Sequence, residues 1–217
     1  MIKVLVVDDH ALMRALIKTL LQDVPTIRVI GEAGTGEEAI VLAKKLLPDV
    51  VILDIDMPGI GGLGAVSKLL SHNPAIKILV LTRHDTEPYP SRLLEAGVHG
   101  YITKGCNIEE LIKAIQTVYN SQTYLSSDIA QKMAAKRFSN EPDSPFDLLS
   151  KREFQVVLLL IQRIPSKSIA ERLFLSIKTV SGYRSHIYEK LNVHSDVELI
   201  LLAMQHGLIE NKKIDGV

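Results

Sequence analysis

The chain has 217 residues, which suits one large or two small domains, and 47% of them are apolar, enough for packed cores. Its formal net charge is zero, but the charge is unevenly spread. Residues 1–119 carry 12 Lys/Arg against 14 Asp/Glu, a net charge of −2, whereas residues 150–213 carry 10 against 6, a net charge of +4. This asymmetry favours a polyanionic partner for the C-terminal part, although a merely solvated basic surface would give the same excess.

Cysteine content and hydropathy indicate the cellular compartment in which the protein is expected. The single cysteine, Cys106, excludes an internal disulfide and fits a reducing cytosol, and its neighbours do not indicate an activated thiolate. No signal peptide opens the chain, and the longest apolar run, residues 156–161, is too short to cross a bilayer. The sequence therefore predicts a cytoplasmic protein without a membrane partner.

Five apolar strands alternate with helical segments over the first 119 residues. Strands are predicted at residues 2–7, 27–33, 50–53, 76–81 and 98–102, and helices at 11–22, 37–47, 63–71, 90–96 and 108–119. Thr35 is a candidate N-cap for the second helix, and residues 83–89 form a loop. This alternation predicts an α/β fold with a doubly wound, five-stranded parallel sheet of flavodoxin-like order 2-1-3-4-5.

The remaining residues change character twice. Residues 121–147 are rich in Ser, Asn and Pro and predict a linker, with a short helix at 128–137. Helical periodicity returns at residues 152–162, 167–173, 178–191 and 196–206, which predicts a small all-α domain. The expected organisation is a domain at 1–120, a linker at 121–147 and a second domain at 148–210.

Polar side chains end four of the predicted strands. Asp8 and Asp9 follow the first strand, Asp54 the third, Thr82 the fourth and Lys104 the fifth. An isolated aspartate at a strand end is often only a turn cap. Carboxyl ends of parallel strands, however, meet at one sheet edge, where three carboxylates favour a hard cation such as Mg²⁺. Beside that cation, Asp54 is suited to accept a phosphoryl group, with Thr82 and Lys104 as partners for its oxygens.

The helical tail contains a helix-turn-helix pattern. Ser150 and Glu153 form a capping-box sequence at its first helix, and Ser176 is an N-cap for a basic helix up to residue 191. Lysine and arginine contact DNA phosphates, and small hydroxyl side chains can approach base edges. A helical dimerisation or docking domain is the alternative that charge alone leaves open.

The first domain resembles the receiver domain of bacterial two-component response regulators. The motifs that carry the resemblance are Val6-Val7-Asp8-Asp9-His10, Leu53-Asp54-Ile55-Asp56-Met57-Pro58-Gly59, Leu81-Thr82 and Gly100-Tyr101-Ile102-Thr103-Lys104.

That resemblance implies a role for each matching residue. Asp54 would be the phosphoacceptor, with slow autodephosphorylation as the protein's only other chemistry. Mg²⁺ would be ligated by Asp54, directly by Asp9, through water by Asp8, and by the backbone carbonyl of Asp56. The phosphoryl-binding and switch residues would be Thr82, Tyr101 and Lys104.

The tail resembles the DNA-binding domain of the LuxR/NarL type. The matching segments are Leu149-Ser150-Lys151-Arg152-Glu153, Leu175-Ser176, Lys178-Thr179-Val180 and Lys190-Leu191-Asn192-Val193. The resemblance implies that the last helix forms a two-fold contact on DNA. It also implies a DNA-binding set of base-facing Ser181, Gly182 and Ser185 and backbone-facing Lys178, Thr179 and Arg184.

The linker region contains Tyr119-Asn120-Ser121-Gln122-Thr123-Tyr124 and Ser127-Asp128-Ile129-Ala130. With these segments, nearly the whole chain, to about residue 208, is most similar within the NarL/FixJ family to the GacA/UvrY/LetA group of global regulators. That similarity implies a transcription regulator that receives its phosphoryl group from a hybrid sensor histidine kinase. It further implies homodimers in the active state, binding to double-stranded promoter DNA, action through RNA polymerase, and small regulatory RNA genes as targets.

Several residues depart from the family pattern. Arg83 follows the switch threonine, and Asp56 adds a charge two residues after Asp54, so an altered lifetime of the phosphorylated state is expected. Arg163 stands where a glycine usually follows the first helix of the tail, and it would be strained if it must adopt a left-handed cap conformation. Gly182 inside the recognition helix should cost about 1 kcal/mol relative to alanine. Gly105 replaces a common proline, so a trans peptide bond is expected.

Two other functions fit parts of the sequence. Asp54-Ile55-Asp56 matches the Asp-x-Asp pattern of haloacid-dehalogenase-type phosphatases, but Met57-Pro58 replaces the Gly-Thr continuation of that family. A constitutive DNA-binding protein whose first domain only dimerises is the third reading.

Overall fold

The computed structural model describes residues 1–83, 89–138 and 144–209, with the side chains of 136–138 left out. The chain divides into two compact units, one formed by Met1–Asp85 and Pro90–Ala135 and the other by Thr86–Tyr89 and Lys136–Val217. The predicted loop at 83–89 and linker residues 139–143 fall largely outside the described residues, as does residue 210.

The first unit is a parallel sheet covered by helices, which confirms the predicted α/β class. Its strand order is β2-β1-β3-β4-β5-β6, so the order 2-1-3-4-5 is confirmed and extended by one strand. The strands are β1 Ile2–Val7, β2 Ile27–Ala33, β3 Val50–Leu53, β4 Lys77–Thr82, β5 Gly100–Thr103 and β6 Tyr124–Leu125. The helices are α1 Ala11–Gln22, α2 Gly36–Leu46, α3 Gly61–His72, α4 Tyr89–Glu95, α5 Ile108–Tyr119 and α6 Ser127–Phe138.

The central strands are apolar on both faces because helices cover both sides of the sheet. All four residues of β3 are buried, as are five of the six in β1 and in β4. Helices pack against these strands through apolar faces, as α5 does with Leu111, Ala114, Ile115 and Val118. This packing fixes the positions of the residues at the carboxyl edge of the sheet.

Strand register determines which side chains meet at that edge. Val7 lies opposite Leu53, and the backbone N–H of Asp54 donates to the carbonyl of Val7 at 2.8 Å. Thr82 lies opposite Thr103, and the backbone N–H of Lys104 donates to the carbonyl of Thr82 at 2.8 Å. The polar residues that follow β1, β3 and β5 therefore leave the sheet at the same edge, with β4 between β3 and β5.

The sixth strand was not predicted. Tyr124 pairs with Gly100, and its hydroxyl donates to the Glu110 carboxylate of α5 at 3.4 Å. A two-residue strand has no periodicity to recognise, and the surrounding Ser-rich sequence indicated a linker. The start of the predicted linker thus belongs to the sheet, and the helix expected at 128–137 extends over Ser127–Phe138.

The second unit is all-α, as predicted. A short 3-10 helix, Pro145–Leu148, precedes α7 Lys151–Ile161, α8 Ser166–Leu173, α9 Ile177–Leu191 and α10 Asp196–Gln205. The Ser150–Glu153 capping box is present. Buried side chains from the four helices form its core: Phe154, Val156, Val157, Ile169, Val180, Ile187, Leu199 and Ala203.

Non-glycine residues adopt left-handed backbone conformations at three helix ends of this unit. Arg163 has φ 58°, the left-handed conformation in which strain was expected, and Phe174 and Asn192 have φ 55° and 51°. Asparagine tolerates this region better than other L-residues, whereas arginine and phenylalanine do so at a cost. No helix in the described parts of the chain has the length and hydropathy that a membrane span requires.

Candidate functional site

Two buried carboxylates lie together at the carboxyl edge of the sheet. Asp8 and Asp54 are only 2% and 1% exposed. Lys104 bridges them, because its Nζ lies 2.6 Å from Asp54 Oδ2 and 2.8 Å from Asp8 Oδ2. The structure thus brings together three residues that the sequence placed at three different strand ends.

Burial and ion pairing shift the pKa values of Asp54 and Lys104 in opposite directions. Burial raises the pKa of Asp54; the bond from Lys104 acts against this shift, and the charges of Asp56 and Asp8 add to it. Burial alone would lower the pKa of Lys104, but its bonds to Asp54 and Asp8 outweigh that effect and raise it. The site therefore holds a charged ammonium beside a carboxylate that is harder to ionise than usual.

Asp9 and His10 complete the donor atoms at this edge. His10 Nδ1 lies 2.7 Å from Asp9 Oδ1, and the backbone N–H of His10 donates to Asp8 Oδ1 at 2.8 Å. Ligand atoms of Asp8, Asp9, His10 and Asp54 all fall within 4.8 Å of one another. Clustered carboxylate oxygens suit a hard divalent cation, so this donor set fits the metal that the fold implies.

The other predicted residues of this unit surround the carboxylates. Thr82, the last residue of β4, and Tyr101, within β5, are completely buried. Asp56 is exposed, and its backbone N–H donates to Asp54 Oδ1 at 3.3 Å, while Arg83 is exposed beside Thr82. Every candidate of the acidic site thus lies at or next to the same edge of the sheet.

The second unit presents helix α9 as its candidate nucleic-acid interface. Ser176 caps the helix by accepting from the backbone N–H of Thr179 at 3.0 Å. The predicted contact residues Lys178, Thr179, Ser181, Gly182 and Ser185 are all exposed, whereas Val180, Ile187 and Leu191 of the same helix are buried. Periodicity thus separates a core face from a polar outer face.

The serine hydroxyls on that outer face already donate within the helix. Ser181 Oγ donates to the carbonyl of Ile177 at 3.1 Å, and Ser185 Oγ donates to the carbonyl of Ser181 at 3.2 Å. Both oxygens retain lone pairs and can accept hydrogen bonds. A Cβ built on Gly182 meets nothing within 4 Å, so no packing within the fold requires a glycine there.

Arg184 differs from the other predicted contact residues. Its Nη2 lies 2.6 Å from Asp196 Oδ2 of α10, and its Nε donates to the Tyr188 hydroxyl at 3.0 Å. The Tyr188 hydroxyl also donates to Asp196 Oδ1 at 2.6 Å. This α9–α10 network occupies the guanidinium group, and sequence reasoning missed it because the acidic partner lies 12 residues further on in another helix.

Helix α10 carries an exposed apolar stripe. Val197, Leu201 and Met204 are 66%, 54% and 38% exposed, at spacings that place them on one face. The opposite face supplies Leu199 and Ala203 to the core. This is the helix to which the resemblance assigned the two-fold contact.

Two family models match the chain. Residues 4–116 match the response regulator receiver domain, and residues 147–203 match the bacterial regulatory proteins of the luxR family. The luxR-family match falls within the second structural unit, and the receiver match falls within the first except at Thr86–Tyr89.

Curated proteins match nearly the full length. The response regulator GacA of Pseudomonas aeruginosa is 49% identical over 211 residues, covering 97% of this chain and 99% of its own. The response regulator UvrY of Escherichia coli K12 is 46% identical over 209 residues, covering 96% of both chains.

Solved structures of RcsB show a similar fold. A Salmonella typhimurium RcsB response regulator structure has a TM-score of 0.75 at 25% identity, covering 92% of this chain and 95% of its own. RcsB from Salmonella enterica serovar Typhimurium, bound to promoter rprA in the presence of the phosphomimetic BeF3−, has a TM-score of 0.72 at 25% identity, covering 93% and 98%.

Proposed function

The chain belongs to the family of two-component response regulators with a LuxR-type DNA-binding domain, and we propose that phosphorylation of Asp54 controls its binding to promoter DNA. The observation that carries the proposal is the meeting of Asp8, Asp54 and Lys104 in one buried group at the carboxyl edge of the sheet. The receiver domain is assigned to residues 1–120, the linker to 121–147 and the DNA-binding domain to 148–210.

Asp54 is the nucleophile of this proposal. Its carboxylate attacks the phosphorus of a phosphohistidine on the kinase, the P–N bond breaks, and an acyl phosphate forms on Asp54. Lys104 already contacts the Asp54 carboxylate and is placed to contact the phosphoryl oxygens. Thr82, buried at the neighbouring strand end, supplies a hydroxyl for the same oxygens, and Tyr101 repacks with it.

Mg²⁺ is the proposed cofactor. The side chains of Asp8, Asp9 and Asp54 and the backbone carbonyl of Asp56 would hold it, in agreement with the clustered donor atoms. When bound, the cation shields the negative charge of the carboxylates from the incoming phosphoryl group. Lys104 and the cation would then share the charge of Asp54 and Asp8.

The outer face of α9 is the proposed DNA-binding surface. Lys178 and Thr179 contact phosphates, and Ser181, Gly182 and Ser185 face the bases. Because both serine hydroxyls donate to helix carbonyls, their free lone pairs suit the amino groups of adenine and cytosine. Arg184 contacts a DNA phosphate only after its ion pair with Asp196 has broken.

The resemblance to the GacA/UvrY/LetA group supports a wider setting for the proposal. A hybrid sensor histidine kinase donates the phosphoryl group, the phosphorylated protein binds DNA as a homodimer through α10, and it acts with RNA polymerase in the cytoplasm on small regulatory RNA genes. The chemistry of the chain is thus a single transfer onto its own side chain, followed by slow autodephosphorylation, in which water attacks the phosphorus, the bond to Asp54 breaks and inorganic phosphate leaves.

Labelling with radioactive acetyl phosphate in Mg²⁺, followed by footprinting on promoter DNA, tests the proposal. Wild-type protein should be labelled and should protect DNA at a lower concentration after labelling. Asp54→Asn should lose both responses, whereas Asp23→Asn, which removes an exposed carboxylate elsewhere in the first unit, should retain them. Undiminished labelling of Asp54→Asn would refute the assignment of Asp54.

A further inference from the structure

Two large apolar side chains are exposed where the recognition helix begins. Phe174, at the end of α8, is 79% exposed, and Ile177, the first residue of α9, is 53% exposed. We propose that Phe174 and Ile177 contact the 5-methyl groups of thymines in the major groove and thereby contribute to sequence specificity. This inference rests on the proposed DNA-binding function and adds residues that the family resemblance did not assign.

Position 174 is an unusual place for a phenylalanine. The residue has φ 55° and ψ 48°, a left-handed conformation that asparagine or glycine adopts with less strain. Its side chain is also the most exposed aromatic ring of the described residues. Most of the ring surface is open to solvent, so a molecule outside the fold can bury it.

The position of the pair points to the base edges. A helix-turn-helix protein inserts its second helix into the major groove, and the N-terminal residues of that helix contact the bases. Phe174 and Ile177 flank Ser176, which caps this helix, so they lie at the end that enters the groove. The thymine methyl is the apolar group in that groove, and phenylalanine and other apolar side chains are its usual partners.

The residues of α9 proposed to face the bases do not themselves account for recognition of thymine. Ser181, Gly182 and Ser185 offer no long side chain that could bond a base through two hydrogen bonds, and Arg184 is engaged by Asp196. Apolar contact with the thymine methyl would distinguish thymine from the other bases, which these short side chains do not do through paired hydrogen bonds.

Replacement of thymine by uracil tests the contact directly, because uracil lacks only the 5-methyl group. The full-length protein, treated with acetyl phosphate and Mg²⁺, first selects duplexes from a random library. The most enriched duplex is then synthesised with thymine or with deoxyuridine, and both forms are titrated with wild-type protein, Phe174→Asn and Ile177→Ala. Leu47→Asn is the matched control, since Leu47 is also apolar, 56% exposed and left-handed (φ 49°), but belongs to the first unit.

Wild-type protein and Leu47→Asn should bind the uracil duplex more weakly, by about fourfold for each methyl contacted. Phe174→Asn should fold at least as stably as wild type and should bind the two duplexes more nearly alike. A thymine preference that survives both Phe174→Asn and Ile177→Ala, or no preference in wild type, would overturn the contact alone. Failure of wild type to enrich any duplex would instead overturn the DNA-binding function on which it rests.

Discussion

Lys104 is the residue on which the acidic site depends most directly. Its ammonium pairs with two buried carboxylates, so Lys104→Met should lower the free energy of unfolding by about 3–5 kcal/mol in a chelating buffer. Mg²⁺ should restore part of this loss, because a cation bound by Asp8 and Asp54 replaces the missing charge. Urea unfolding with EDTA or with Mg²⁺ measures both effects.

Lys113→Met provides the comparison, since Lys113 is an exposed lysine of the same unit. It should change stability by less than about 0.5 kcal/mol and should show no added response to Mg²⁺. Equal effects of the two substitutions would mean that Lys104 does not stabilise the carboxylates.

Asp54 should make stability depend on pH. Burial raises its pKa, so the folded protein binds this proton more tightly than the unfolded chain does. Without metal, Asp54→Asn should therefore stabilise the protein at neutral pH. The difference from wild type should shrink as the pH falls through the raised pKa towards the ordinary value of 3.8.

Thermal unfolding in EDTA at a series of pH values checks this expectation. Asp23→Asn, which removes an exposed carboxylate, serves as the reference. An Asp54→Asn variant that is less stable than wild type at neutral pH would show that the bond to Lys104 outweighs the burial of the charge.

The residues of the acidic site were predictable because topology alone brings them together. Parallel strands share a carboxyl edge, so Asp8, Asp54 and Lys104 had to meet once the strand order was known. The dual bond of Lys104 was not predictable, since it depends on side-chain conformation. The same limit hid the pairing of Arg184 with Asp196.

At the scale of elements, the α9–α10 network should restrain DNA binding. Asp196→Asn removes the acidic partner of Arg184 and frees its guanidinium for a phosphate. DNA affinity should rise, and the slope of log affinity against log salt should steepen by about 0.9 for the added phosphate contact. Fluorescence anisotropy over a range of salt concentrations measures both.

Glu198→Gln is the matched variant for this experiment. Glu198 lies in the same first turn of α10 and loses the same charge, but its carboxylate accepts from the backbone N–H of His194 rather than from Arg184. If both substitutions steepened the salt dependence equally, net charge rather than the Arg184 pair would account for the change.

Helices and long strands were predicted to within about two residues because their apolar periodicity repeats over several turns. The short strand β6 was missed for lack of such a repeat. The missing glycine drew attention to the backbone of Arg163, whereas no local sequence signal marks a phenylalanine such as Phe174 for a left-handed conformation.

At the scale of the whole molecule, the apolar stripe of α10 should determine the oligomeric state on DNA. Leu201→Asp places a charge in the middle of the stripe without touching the core. The phosphorylated variant should remain monomeric and lose about 10²-fold in affinity for a two-fold symmetric site, because the second half-site no longer binds cooperatively. Sedimentation and DNA titration measure these effects.

Leu148→Asp alters an equally exposed leucine, 65% against 54%, in the same unit. It should still dimerise on DNA. Loss of dimers in both variants would mean that added charge, rather than the α10 stripe, disrupts assembly.

The two-part plan of the molecule was readable from charge and periodicity, because the acidic and basic halves also differ in their helix and strand patterns. The extent of the first unit was harder to predict. Its contacts continue to Ala135, since β6 and α6 follow a segment whose polar composition resembles a linker.

The left-handed helix ends of the second unit also bear on how this protein can evolve. A population selected only for heat resistance should accumulate glycine or asparagine at both Arg163 and Phe174, where the backbone favours them. A population that must also regulate its promoters should change at Arg163 but keep an apolar residue at Phe174. Comparing the two lineages would show at which of these positions backbone strain only lowers stability, and at which it is retained because the side chain contributes to DNA recognition.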